Sequence, residues 1–123
     1  MVSAPTLVAT PHLQTTPNAA IVQEHELRVF SQLGRAGRRI FITTCAECHG
    51  IKGEGTIAGP SLHHDAYKPD NLNRRDFHRV VTEGVEAHRW SFGDMPGNPS
   101  LSFNDIEKIA RYVRELQYPL RYR

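Results

Sequence analysis

Cys45-Ala46-Glu47-Cys48-His49 holds both cysteines of the 123-residue chain, three positions apart, with a histidine directly after the second. This C-x-x-C-H spacing is the attachment signature of a c-type haem. Two thiols at this separation straddle one porphyrin edge and add across its vinyl groups, and the adjoining imidazole reaches the iron from one side. The candidate site therefore starts with Cys45 and Cys48 as covalent anchors of one haem c and His49 as a metal ligand. A tether of this kind lets a short chain keep a large flat cofactor permanently.

Three other chemistries use paired cysteines. A redox dithiol expects a strand leading into the motif within a βαβ pattern. The approach here, Gly37 to Thr44, has mixed helical character and no such alternation around it. A structural zinc needs four N or S ligands, and the adjacent pair His63 and His64 is a poor complement to two cysteines around one tetrahedral ion. A disulfide across three positions closes too small a loop to stabilise much.

Composition narrows the class. Hydrophobic residues make up 39% and charged residues 23%, as in an ordinary globular domain. No apolar run approaches the length of a membrane span. The net charge of +2, without interleaved aromatic and basic residues, gives no reason to expect a nucleic-acid partner. Gly53-Glu54-Gly55 lacks the Gly-Lys-Ser/Thr that would make it a phosphate loop.

Along the chain, residues 1–20 are rich in Thr, Pro, Ala and Ser and read as a flexible tether. They lack the basic start and apolar run of a signal peptide. Because haem is joined to such motifs outside the bacterial cytoplasm, a periplasmic or otherwise extracytoplasmic location is expected, with an export signal or anchor removed or replaced. Residues 21–33 carry a ragged apolar set that suits one extra helix packed on the domain or an interaction segment. The expected division is an arm over 1–34 and a haem domain over 35–123.

Within that domain the first helix is expected from about Arg35 to Ala46, delivering the haem motif at its end. A second begins after Asn71 or Asn73, places Phe77, Val80 and Val81 on one face, and stops at Gly84. The third has Ser102 as its cap, Asp105 three residues on, and Leu101 paired with Ile106 as a staple. Its stripe of Ile106, Ile109, Ala110, Val113 and Leu116 has helical spacing, and Pro119 ends it. No segment alternates with period two, so the fold is expected to be all-α.

Haem iron has a second axial position, and its occupant separates carrier from catalyst. Met95 is the one methionine besides Met1, and it sits in a Gly- and Pro-rich loop before the last helix. A thioether is a soft neutral donor that favours Fe(II), so His49/Met95 ligation raises the potential and fills both positions. His63, His64, His78 and His88 are the competitors, any of which would give bis-histidine ligation.

With these residues on the page, the chain resembles the small bacterial class I c-type cytochromes over roughly residues 35–118. Gly37 and Phe41 look like that family's helix-crossing glycine and its aromatic neighbour, and Tyr112 like the aromatic of the C-terminal helix that packs on them. Gly59-Pro60 resembles the family's Gly-Pro, whose proline carbonyl accepts the Nδ1 proton of the axial histidine. Met95-Pro96 resembles the axial methionine motif, Asn98 an asparagine that hydrogen-bonds the ligand sulfur, and Trp90 a tryptophan that donates to a haem propionate. The resemblance implies a cytochrome c fold, with three to four core helices around one covalent haem.

It further implies a monomeric, non-enzymatic carrier of single electrons that docks transiently on redox proteins. Apart from the resemblance, Ile51 and Ile57 are candidates for an apolar docking rim, and Arg35, Arg38, Arg39 and Lys52 read equally as a basic rim for an acidic partner or as a solvated helix face. The alternatives are a haem domain or electron-transfer subunit of a larger periplasmic oxidoreductase, and a ligand-binding haem sensor or peroxidase. Two features have no counterpart in the family pattern: the long arm and the His63-His64-Asp65 cluster.

Overall fold

A computed structural model describes residues 29–87 and 92–119 of the chain. Among them lie four helices and one short ladder: α1 (Gln32–Thr44), α2 (Ala46–His49), α3 (Arg74–Glu83), β1 (Gly84–Val85), β2 (Met95–Pro96) and α4 (Phe103–Gln117). The all-α expectation holds, and no described helix is long and apolar enough to cross a membrane. Most of the expected arm, and most of the extra helix suggested for residues 21–33, lie outside the described residues.

Helix α1 starts three residues ahead of the expected Arg35, because Ser31 caps it. The Ser31 hydroxyl oxygen accepts the Gly34 N–H at 2.9 Å. That hydroxyl in turn donates to Glu115 Oε2 at 2.6 Å, and the Ser31 N–H to Glu115 Oε1 at 2.9 Å. With Arg111 Nε donating at 2.6 Å, the buried Glu115 carboxylate joins the start of α1 to the end of α4. A buried charge needs such partners, because leaving it unpaired costs several kcal/mol. The packed unit thus reaches back to Phe30, whose ring lies 5.2 Å from that of Tyr112.

The α1–α4 pair is the frame of the molecule. Gly37 is buried where the two backbones meet, and a Cβ there would overlap the Lys108 carbonyl. One turn later Phe41 packs edge-on to Tyr112 at 5.2 Å. Phe41, Ile109, Tyr112 and Val113 are the largest fully buried side chains, each worth about 2 kcal/mol of removed apolar surface. The three residues that the family resemblance grouped do lie together.

Helix α4 begins with the expected capping box: Ser102 Oγ accepts from Asp105 N at 3.0 Å, and Asp105 Oδ2 from Ser102 N at 3.2 Å. Two polar residues outside the expected apolar stripe, Glu115 and Gln117, are also buried. Gln117 Nε2 donates to the carbonyls of Leu62 and Tyr67, while Arg114 donates to those of Tyr67 and Leu72. The end of α4 therefore holds the 61–72 segment, which carries a 3-10 turn at Asp65–Tyr67.

For α3 the cap is Asn73, whose Oδ1 accepts from Asp76 N at 2.9 Å; Asn71 instead donates to Asp65 O. Phe77 and Val81 are buried in the core, and Val80 is half-buried. The helix is tied to α4 by Glu107, which accepts two bonds of 2.9 Å, from Arg74 Nε at Oε2 and from Nη2 at Oε1, and a bond from His78 Nε2 at 2.5 Å. His78 also stacks on Phe103 at 4.4 Å.

Arg74 and then His78 hold the Glu107 carboxyl down at about 2, against an ordinary carboxylate value of 4.5. A depressed folded-state value means that the stabilisation is complete above the unfolded value and is lost as pH falls through it toward 2. The thermal midpoints of wild type and Glu107→Gln should therefore differ at pH 7 and converge between about pH 5 and pH 2. A gap that stays constant across that window would contradict the assignment.

Candidate haem-binding site

The motif straddles a break in the helix. Cys45 ends α1 with its N–H on the Phe41 carbonyl, and one further turn, α2, carries Cys48 and His49. Gly50, at φ 84°, stops that turn in a conformation that favours glycine. Both cysteines are free thiols and half-buried. Burial pushes the Cys45 thiol above its ordinary value, opposed by the Thr44 hydroxyl 3.5 Å away.

The chain then folds back over the motif. The Gly55 N–H donates to the His49 carbonyl at 2.6 Å, and the Thr56 hydroxyl to the Cys48 carbonyl at 2.7 Å. Gly59 lies so close that a Cβ would come within 2.7 Å of the Cys48 carbonyl oxygen. This close approach puts Pro60 over the histidine, with His49 Nδ1 2.9 Å from the Pro60 carbonyl oxygen. A carbonyl oxygen can only accept, so Nδ1 carries the proton and Nε2 keeps its lone pair. The buried imidazole is thus fixed in the tautomer that can bind a metal through Nε2.

These features fit a covalently held haem: two unpaired thiols at the attachment spacing and a buried imidazole oriented from behind. Thr56 and Glu54 escaped the sequence reading. Glu54 Oε1 accepts the Lys52 N–H at 2.8 Å and lies beside Gly50, bracing the loop after the motif. No spacing rule marks either residue, because each acts through a backbone group brought near by the fold. Tyr112 has a second task as well, since its hydroxyl donates to the Ile51 carbonyl at 2.7 Å.

Met95 stands on a separate support. It is half-buried in β2, antiparallel to β1, with Val85 opposite Met95 and Gly84 opposite Pro96. This ladder was not expected, because two residues are too few to show an alternating pattern. Asn98, half-buried, donates its backbone N–H to the Val81 carbonyl at 2.7 Å. Trp90 and His88 lie outside the described residues.

The other described histidines have structural duties. His63 Nε2 donates to the Lys52 carbonyl at 2.9 Å, and His64 Nδ1 accepts from Ala66 N at 3.0 Å, capping the 3-10 turn. The His63 and His64 contacts give the unexplained His63-His64-Asp65 cluster a loop-forming role, while His78 is held between α3 and α4 by Glu107.

The family model for cytochrome c matches residues 34–117, well over half of the chain. Among solved structures, cytochrome cL from the marine methylotrophic bacterium Methylophaga aminisulfidivorans MPT is 27% identical with a TM-score of 0.56, covering 72% of this chain and 55% of that one. Cytochrome cL from Hyphomicrobium denitrificans is 20% identical with a TM-score of 0.54, covering 85% and 61%. The chain thus spans less than two thirds of the length of either structure. No curated protein matches its sequence.

Proposed function

The chain belongs to the cytochrome c family, and on that premise we propose that it carries single electrons between redox proteins outside the cytoplasm as a monomer. One haem c would be held through Cys45 and Cys48, with His49 and Met95 as the axial ligands. Bound haem supplies a one-electron Fe(III)/Fe(II) couple.

The observation that carries this reading is the His49–Pro60 bond beside two free thiols. Pro60 holds the imidazole proton on Nδ1, so that His49 is a better donor at Nε2 and cannot turn away. Gly59 lets Pro60 approach, having no Cβ to press on Cys48. Met95 is supported as the second ligand because His63, His64 and His78 are each bound into their own surroundings. Asn98 and Trp90 keep the roles implied by the family, toward the ligand sulfur and a propionate. With His49 and Met95 both holding the iron, the protein would be a carrier rather than a catalyst.

Docking would use the face around the two cysteines. Ile57, 97% exposed, stands at the tip of the loop bonded to Cys48, and Ile51, 48% exposed, follows the motif two residues after His49. Such an apolar rim suits a small transient interface. The haem unit would take in the expected domain from residue 35 onward together with a Phe30–Gly34 lead-in, since Phe30 packs on Tyr112 and Ser31 bonds to Glu115.

An optical spectrum of the oxidised and reduced holoprotein tests the reading. A c-type reduced spectrum with the weak far-red band of ferric iron bound to thioether is the expected result. Haem bands without it would remove Met95 from the ligand set, and absence of covalent haem would remove the whole reading.

A further inference from the structure

The loop bearing Met95 is seated on the end of α3 in an uneven way. After Met95 it is packed backbone against backbone. A Cβ on Gly97 would overlap the Thr82 carbonyl, one on Gly84 would overlap that of Met95, and Asn98 N–H is bonded to the Val81 carbonyl at 2.7 Å. Before Met95 the packing among the described residues is open. Gly93 has a φ of 86°, and a Cβ there would meet nothing within 4 Å among the described residues. Asp94 supplies the tie on that side: its Oδ1 accepts the Ala87 backbone N–H at 2.8 Å, across seven positions of the chain.

We propose that Asp94 is a positioning residue for Met95, its carboxylate oxygen continuing the β1–β2 ladder on the side where, among the described residues, no backbone bond does. Val85 pairs with Met95, and the Asp94–Ala87 bond lies one step further along the same two segments. Without it Met95 is anchored from one side, and its side chain leaves the iron more often. The inference rests on the proposed His49/Met95 ligation and goes beyond it, because it concerns what keeps the thioether in place.

An added ligand can bind only when Met95 is displaced, so its apparent affinity scales with the displaced fraction. One hydrogen bond of ordinary strength corresponds to about a three- to tenfold change in that fraction. The test is a titration of the ferric holoprotein with imidazole at pH 7, read by loss of the thioether band. It is run on wild type, Asp94→Ala and Asp94→Asn. Asp94 is exposed, so neither substitution disturbs the core.

Asp94→Ala should raise the apparent affinity for imidazole about three- to tenfold. Asp94→Asn keeps a carbonyl acceptor and should match wild type, which a role based on charge alone would not produce. A merely structural role would lower the thermal midpoint without moving the affinity. If the wild-type band is present and the affinities of Asp94→Ala and wild type coincide, the positioning role fails while the ligation stands. It fails likewise if Asp94→Asn behaves as Asp94→Ala does. If wild type lacks the band, both fall together.

Discussion

A haem-loaded Met95→Ala protein is expected to lose the far-red thioether band, to bind CO once reduced, and to take a lower reduction potential. The first two effects follow from opening an axial position. The third follows from the preference of a soft neutral thioether for Fe(II), which disappears with the side chain. The drop should be on the order of 100 mV, because about 59 mV corresponds to a tenfold change in a one-electron equilibrium. Met95 pairs with Val85 through backbone groups, so truncating its side chain leaves the β1–β2 ladder intact. Potentiometry and CO binding on the purified variant check this result. Wild-type values for both would show that another group binds the iron and would reopen the case for His88.

Gly37→Ala should have the largest effect on stability. Two opposing terms decide its sign. In an exposed helix interior, alanine is better than glycine by about 1 kcal/mol. Here, however, the new Cβ overlaps the Lys108 carbonyl, a backbone group that moves only if α1 and α4 part. Overpacking of this kind costs about 3 kcal/mol or more, a large fraction of the roughly 5–15 kcal/mol that holds a domain together. Parting the helices also loosens Phe41 from Tyr112, and through the Tyr112–Ile51 bond the loop after the haem motif. The denaturant midpoint of the holoprotein should fall, with the slope unchanged. An unchanged or raised midpoint would show that propensity wins and that the crossing has room.

Much of this architecture is legible in the order of residues. Short-range signals are reliable where the physical device is itself local. The capping box at Ser102 and Asp105, the Asn73 cap and the stop at Gly84 involve backbone groups within a turn or so of the side chain. The same holds for the C-x-x-C-H motif, whose chemistry is set by the span of one porphyrin edge.

What the sequence by itself determined is therefore a helical domain of a haem-carrying family, with Cys45 and Cys48 marked as candidate attachment residues and His49 as a candidate ligand. The tertiary structure alone decided how that ligand is aimed and how the rest is held. Glu115 and Gln117 fall outside the apolar stripe of their helix, yet both are buried, because Ser31 and the 61–72 segment come to them from 84 and about 50 residues away. Thr56, Asp94 and the ladder behind Met95 bond to backbone groups, and every residue but proline offers the same N–H and C=O. Such bonds leave no mark on residue type, so only the folded chain reveals which carbonyl or amide stands opposite.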